Sequence, residues 1–233
     1  MSVHKDFKDD EYQIRKTKMR AVAIMTAAFA VRSLTSNQQV YLAALKDPGV
    51  SLVIATGMAG TGKTMLACTE GVNQVRSKNF DKVVITRPTV GIADNDIGFL
   101  PGTTEKKMAP WLLPMADYIQ DRRIVQVVPI GFMRGYTIRD SFIIVDECQN
   151  LRTDALRMIL SRIGEGSKLV LTGDLTQSDL KGTNGFDYFL SRIDTAEFPE
   201  IRWIKLGEED CRRHPLIPRL MKIFSTPQGG HDR

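Results

Sequence analysis

Two clusters of residues have the types and spacing for phosphate chemistry. The first is Gly57-Met58-Ala59-Gly60-Thr61-Gly62-Lys63-Thr64, which meets the pattern GxxxxGK[ST] at every fixed position. A chance match in a chain of this length is on the order of one in a hundred at ordinary residue frequencies. Glycines here allow positive φ and bring backbone N–H groups onto a β-phosphate with no Cβ in the way. The start of a following helix adds the positive end of its dipole. Lys63 is long enough to reach the β- and γ-phosphates, and the Thr64 hydroxyl is suited to ligate Mg²⁺. All eight residues are expected to hold a nucleotide, ATP in the first instance.

The second cluster is the acid pair Asp146-Glu147, which ends the apolar run Phe142-Ile143-Ile144-Val145. At the carboxyl end of a buried strand, Asp146 is placed to hold Mg²⁺ through water. Glu147 is the expected polariser of the water that attacks a γ-phosphate. Taken alone, two acids at a strand end are as readily solvated turn residues; the phosphate loop upstream favours the catalytic reading. A third strand end, Leu169-Val170-Leu171-Thr172-Gly173-Asp174-Leu175-Thr176-Gln177, also finishes in polar groups. Thr172, Asp174 and Gln177 are candidates to sense the γ-phosphate, and Gly173 permits close backbone approach.

These groups need a scaffold. Strands are expected at Leu52–Thr56, Lys82–Thr86, Ile124–Pro129, Phe142–Val145, Lys168–Thr172 and Ile201–Leu206, separated by segments of helical period such as Ala155, Leu156, Ile159, Leu160 and Ile163. Near-continuous apolar strands indicate a parallel sheet covered on both faces, hence an α/β fold. Residues 1–36 are expected as an N-terminal arm and helix, 37–225 as a single ATPase core, and 226–233 as a disordered tail.

The chain has 233 residues, 42% of them hydrophobic and 25% charged, which suits one globular domain. No apolar run approaches the roughly 18 residues needed to cross a bilayer. Cys68, Cys148 and Cys211 form no CxxC pair, and His4, His214 and His231 are dispersed, so neither a disulfide framework nor a zinc site is expected. A reducing, cytoplasmic compartment fits. The net charge of +5 is compatible with a polyanionic partner without establishing one.

Several further blocks occur in order: Thr86-Arg87-Pro88, Gly98-Phe99-Leu100-Pro101-Gly102, Phe132-Met133-Arg134-Gly135, Asp146-Glu147-Cys148-Gln149, Thr172-Gly173-Asp174 with Gln177, and Arg213-His214. Together they resemble the PhoH family, phosphate-starvation-associated ATPases also frequent in bacteriophages. The resemblance implies a single RecA-like core similar to that of superfamily-1 helicases. It also implies that Asn37-Gln38, with Tyr41 nearby, reads adenine, and that Gly173-Asp174…Gln177 senses the γ-phosphate. Cys148 stands where the family commonly has Ala, a small-for-small change. Arg87-Pro88-Thr89-Val90-Gly91-Ile92-Ala93-Asp94 departs from the family pattern, which puts in doubt any contact of that loop with nucleic acid or a neighbouring subunit.

Phosphoryl transfer usually draws a positive charge from beyond the phosphate loop. With one core, that charge is expected in trans within an oligomer, a hexameric ring being the favoured form. Arg213 is the first candidate, followed by Arg212 and Arg134. The expected activity is ATP hydrolysis coupled to single-stranded RNA or DNA, as a helicase or translocase. Lys106, Lys107, Arg122, Arg123 and Arg134 are candidate channel residues, although solvated faces are the ordinary reading of each. No aromatic stacking platform is evident; Trp111 and Tyr118 read as helix core. The alternatives are an ATP-controlled assembly switch with little turnover and, less favoured because of Glu147, a P-loop kinase. Relatives with a PIN domain are nucleases; no intrinsic RNase activity is expected here.

Overall fold

The structure is a computed structural model that describes residues 34–88, 115, 118, 121–179 and 184–211. The chain divides into two units, Met1–Leu34 and Thr35–Arg233, and the sheet with its helices belongs to the second. Six strands form one sheet: β1 (Leu52–Gly57), β2 (Lys82–Thr86), β3 (Val125–Val127), β4 (Ser141–Val145), β5 (Lys168–Gly173) and β6 (Ile201–Leu206). Their order is β3-β2-β4-β5-β1-β6, and each recorded pairing is parallel. β5 is thus inserted between the phosphate-loop strand and the acid strand, the arrangement of a RecA-like P-loop core.

Four helices of the described residues flank the sheet: α1 (Ser36–Lys46), α2 (Lys63–Arg76), α3 (Thr153–Leu160) and α4 (Gly185–Leu190). The reason for the parallel architecture is visible in β4 and β5, which are buried along their whole length. Each fully buried Val, Leu, Ile or Phe contributes about 1.5–3 kcal/mol, so an apolar strand gains most where helices cover both its faces. One core cluster joins Ile143, Val145, Leu169 and Leu171 of the sheet to Leu156 and Ile159 of α3 and Phe186 and Leu190 of α4.

The structure departs from three expectations. The third strand is shorter than Ile124–Pro129, because Ile124 ends a 3₁₀ turn and Val128 already lies outside the ladder. The helical period read through Ile163 stops at Leu160; Ile163 instead bridges Ile138 in a parallel pair. Tyr118, expected in a helix core, is half-buried in a turn. Trp111 lies outside the described residues, as do most of the N-terminal arm and the tail.

Lys168, at the start of β5, is buried and donates to the carbonyls of Ala44, Leu45 and Asp47. Its ammonium thereby caps the carboxyl end of α1, where orphan carbonyls and the negative end of the dipole favour a cation. Burial pushes the Lys168 pKa down to about 8, while the carboxylates of Asp47 and Glu70 pull it the other way.

Candidate functional site

β1 delivers the phosphate loop to the carboxyl edge of the sheet, and the turn ends on α2. Gly57 has φ +152°, and a Cβ there would lie 2.3 Å from the Leu206 carbonyl oxygen, so β6 passes too close for any side chain. Gly62 caps α2 in the left-handed region at φ +87°. Lys63 Nζ folds back over the loop to donate to the carbonyls of Gly57 at 2.5 Å and Met58 at 2.9 Å. The Tyr41 hydroxyl donates to the Lys63 carbonyl, tying α1 to the first turn of α2.

The acid strand meets the loop directly. Asp146 Oδ1 accepts from the Thr64 hydroxyl at 2.8 Å and from the Thr172 hydroxyl at 2.6 Å. Three elements, α2, β4 and β5, therefore converge on one buried carboxylate oxygen. Two buried polar atoms have no hydrogen-bond partner among the described residues: Thr86 Oγ1 at the end of β2 and Asp174 Oδ2 just beyond β5. They lie at the carboxyl ends of the two strands that flank β4. A hydroxyl and a carboxylate, both hard oxygen donors, with further buried oxygens nearby, fit Mg²⁺, which keeps several waters and takes one or two protein ligands. Groups of three or more His, Cys, Asp or Glu arranged for a metal are absent among the described residues. Such an all-protein cage is not what nucleotide-bound Mg²⁺ requires.

Glu147 has left-handed backbone geometry, φ 57° and ψ 41°. Its carboxylate accepts from Gln149 Nε2 at 2.5 Å and pairs with Arg87 Nη2 at 3.4 Å. Burial, and then the charge of Asp146, push the Cys68 and Cys148 thiols up, so both cysteines are inert core groups. The Tyr41 phenol is pushed up too, first by burial and then by Cys68 and Asp146.

Gln38 is only 2% exposed, and its carboxamide is committed to the protein. Its Nε2 donates to the Thr61 carbonyl at 3.0 Å and the Asp210 carbonyl at 3.1 Å, while Oε1 accepts from the Thr35 N–H at 3.1 Å. Both donors of the amide are thus used on backbone. The adenine contact expected of Gln38 would have to displace these bonds. Asn37 donates to Glu209 and Asp210. Gln177 is exposed in the turn after β5, its N–H bonded to the Asp174 carbonyl. Arg134 is exposed at the end of the 3₁₀ turn Ile130–Met133. Arg123 is exposed and forms a two-pronged pair with Asp121, holding that carboxyl down at about 2. Arg212, Arg213, His214, Lys106 and Lys107 lie outside the described residues, as does the side chain of Arg122.

Four features escaped the sequence reading. Arg87 pairs with Glu147, Gln149 holds Glu147, and Asp210 is fully buried beneath α1. Phe132 and Tyr136, 61% and 50% exposed, flank Arg134 on the surface. A sequence signal existed for the last alone, an aromatic on either side of an arginine within five residues.

The phosphate loop, the acid pair and the intervening strand occur here in one frame, and comparison with known proteins agrees. The family described as "PhoH-like protein" matches residues 30–225. This chain belongs to the PhoH-like family. The PhoH-like protein of Bacillus subtilis (strain 168) is 34% identical over 207 residues, covering 84% of this chain and 64% of the relative. The protein PhoH of Escherichia coli (strain K12) is 34% identical over 202 residues, covering 79% and 55%. The chain therefore spans less than two thirds of the length of these curated relatives. Among solved structures, Pif1 helicase from Candida albicans is similar at a TM-score of 0.46 and 22% identity, covering 83% of this chain and 43% of that one. Bacteroides Pif1 bound to ssDNA is similar at a TM-score of 0.40 and 15% identity, covering 82% and 45%. The phosphate-loop pattern and the strand order β3-β2-β4-β5-β1-β6 make this PhoH-like core a P-loop fold of the RecA-like type.

Proposed function

We propose that this PhoH-like chain binds ATP with Mg²⁺ and hydrolyses it as the motor of an oligomer acting on single-stranded RNA or DNA. The observation that carries the reading is the 2.8 Å bond between Thr64 and Asp146, which joins the phosphate loop to the acid strand and leaves Glu147 next in line. Residues 57–64 would hold the phosphates with backbone N–H groups, and Lys63 would turn from its loop carbonyls to the β- and γ-oxygens. Thr64 and Asp146 would hold Mg²⁺, whose chemistry is to neutralise charge developing on the phosphate oxygens. Glu147 would orient and polarise the attacking water. Gln177, on the turn after β5, would report the γ-phosphate. An arginine from a neighbouring subunit, Arg213 first, would complete the site, which favours a ring, a hexamer by preference.

The exposed set Phe132, Arg134 and Tyr136 supports a single-stranded nucleic-acid partner, since aromatics stack bases and arginine meets phosphate. Phosphate release with and without single-stranded RNA and DNA tests the coupling. Stimulated turnover is expected; slow, unstimulated turnover with ATP-dependent assembly favours the switch, and a phosphorylated acceptor favours the kinase. Mixing Lys63→Ala subunits with Arg213→Ala subunits tests the trans arginine. Turnover recovered in the mixture is expected, and a mixture as inactive as its components would remove the trans assignment.

A further inference from the structure

Gln149 lies between the two groups that must act together on a γ-phosphate. At one end its Nε2 donates to the Glu147 carboxylate at 2.5 Å. At the other its Oε1 accepts from the Asp174 N–H at 3.0 Å. The orientation of the amide is dictated by its neighbours, because a carboxylate only accepts and an N–H only donates; the reversed amide would lose both bonds. The Gln149 side chain is 2% exposed and its bond from the Asp174 N–H is buried, while the bond to Glu147, whose side chain is 36% exposed, is part-buried.

The rest of the 3₁₀ turn Cys148–Asn150 is laced to the same downstream turn. The Gln149 carbonyl accepts from the Ser178 hydroxyl at 3.0 Å. Asn150 exchanges two bonds with Asp179, donating to its carboxylate and accepting from its N–H. Gln177, the expected γ-phosphate sensor, lies inside the stretch bounded by these contacts. The seat is also close-fitting: a Cβ on Gly173 would come within 3.1 Å of Gln149 Oε1 and 2.8 Å of the Phe186 ring. A glycine at the end of β5 is therefore required for Gln149 to reach across.

From this geometry we infer that Gln149 is a positioning residue for ATP hydrolysis, holding the Glu147 carboxylate in register with the γ-phosphate-sensing turn Asp174–Asp179. The inference rests on the reading of Glu147 as water activator. Glu147 has a left-handed backbone and a half-buried partner in Arg87, so its own local conformation does not fix the carboxylate. The bond from Gln149 supplies that constraint from a buried group. A carboxylate offers about four lone-pair sites, so two donors leave others free for a water. Nucleotide binding does not pass through Gln149, whose bonds go to the acid and the turn and not to the phosphate loop.

The test compares wild type with Gln149→Leu, Gln149→Glu and Glu147→Gln in the full chain, measuring steady-state ATP turnover, ATP-analogue affinity and Tm. Gln149→Leu removes both bonds at similar volume. Gln149→Glu keeps an acceptor for the Asp174 N–H but loses the donor to Glu147, and it decides the matter alone if the Leu variant does not fold. Both are expected to lower kcat by about tenfold to a hundredfold, with KM and analogue affinity within about threefold of wild type. An unchanged kcat, or KM and Tm falling in step with kcat in both variants, would overturn the positioning role. If Glu147→Gln abolishes turnover while both Gln149 variants keep it, this inference alone fails. If Glu147→Gln turns over like wild type, the reading of Glu147 fails and takes this inference with it.

Discussion

Replacing Glu147 by Gln separates chemistry from folding more cleanly than any other single change at this site. The two carboxylate oxygens have different partners, Gln149 Nε2 on one and Arg87 on the other. A Gln at 147 can present its carbonyl oxygen to Gln149 and keep that bond. Its NH₂ would then face Arg87 and forfeit a pair that is about one-third exposed on both sides, worth ~0–1 kcal/mol. For a core of this size such a loss moves Tm by no more than about 2–4 °C. The catalytic loss is far larger, because an amide is a poor proton acceptor. General-base assistance is worth about 10²–10⁴-fold, or ~2.7–5.4 kcal/mol of barrier. The assays are phosphate release, equilibrium binding of a fluorescent ATP analogue, and thermal unfolding of the same preparation. The expected variant binds nucleotide within a few-fold of wild type, unfolds within about 4 °C of it, and turns over at least about a hundredfold more slowly. Turnover within threefold of wild type would refute the assignment of Glu147. Loss of binding together with a large drop in Tm would refute the partition of roles argued from the two oxygens.

Lys63→Ala is expected to weaken ATP-analogue binding by at least about tenfold, measured by fluorescence titration, because the phosphates lose their cation. Gly57→Ala forces a side chain into φ +152° against the Leu206 carbonyl, and strain of this kind costs about 1–3 kcal/mol before the clash is counted, so Tm should fall by several degrees. Lys168→Met leaves the carbonyls of Ala44 and Leu45 in α1 and of Asp47 just after it without their donor and should lower Tm at pH 7.5 by about 4–8 °C, for a loss of ~2 kcal/mol. The same pair reports on pH. With the folded pKa of Lys168 near 8 and the unfolded value near 10.5, the unfolded chain binds the proton more tightly in between, so wild-type stability rises with pH across that window. The gap in Tm between wild type and Lys168→Met should therefore widen from pH 7.5 to pH 9.5; a constant gap would contradict the depressed pKa.

Much of the scaffold was legible because its signals are local. Apolar runs such as Leu52–Ala55 and Phe142–Val145 can only be buried strands, and the phosphate loop follows the first of them in the manner its chemistry demands. The overextension of β3 and α3 came from reading hydrophobicity alone: Ile163 is apolar because it bridges Ile138, not because the helix continues. The partners of polar side chains were not legible. Asp210 sits in Glu208-Glu209-Asp210, a run that looks like a solvated turn, yet it is fully buried and accepts from Thr35, Asn37 and the Gly207 N–H. Gln38 was read from the nucleotide's side, and its bonds to Thr61 and Asp210 span 23 and 172 residues. Arg87 and Gln149 stood out only as parts of motifs, since nothing in their spacing reveals that both donate to one carboxylate.

These long-range bonds bear on how the site is completed. Gln38 holds the Thr61 carbonyl of the phosphate loop with one amide hydrogen and the Asp210 carbonyl with the other. The Asp210 side chain in turn fixes the start of α1. The phosphate loop, the N-terminus of α1 and the exit from β6 are therefore one braced unit. Cys211, the last described residue, lies with its Sγ 3.9 Å from the Ala59 carbonyl of the same loop. The loop residues Ala59 and Thr61 and the exit from β6 are thus joined at two points, and a shift of Thr61 would pass through the Gln38 amide to the Asp210 carbonyl.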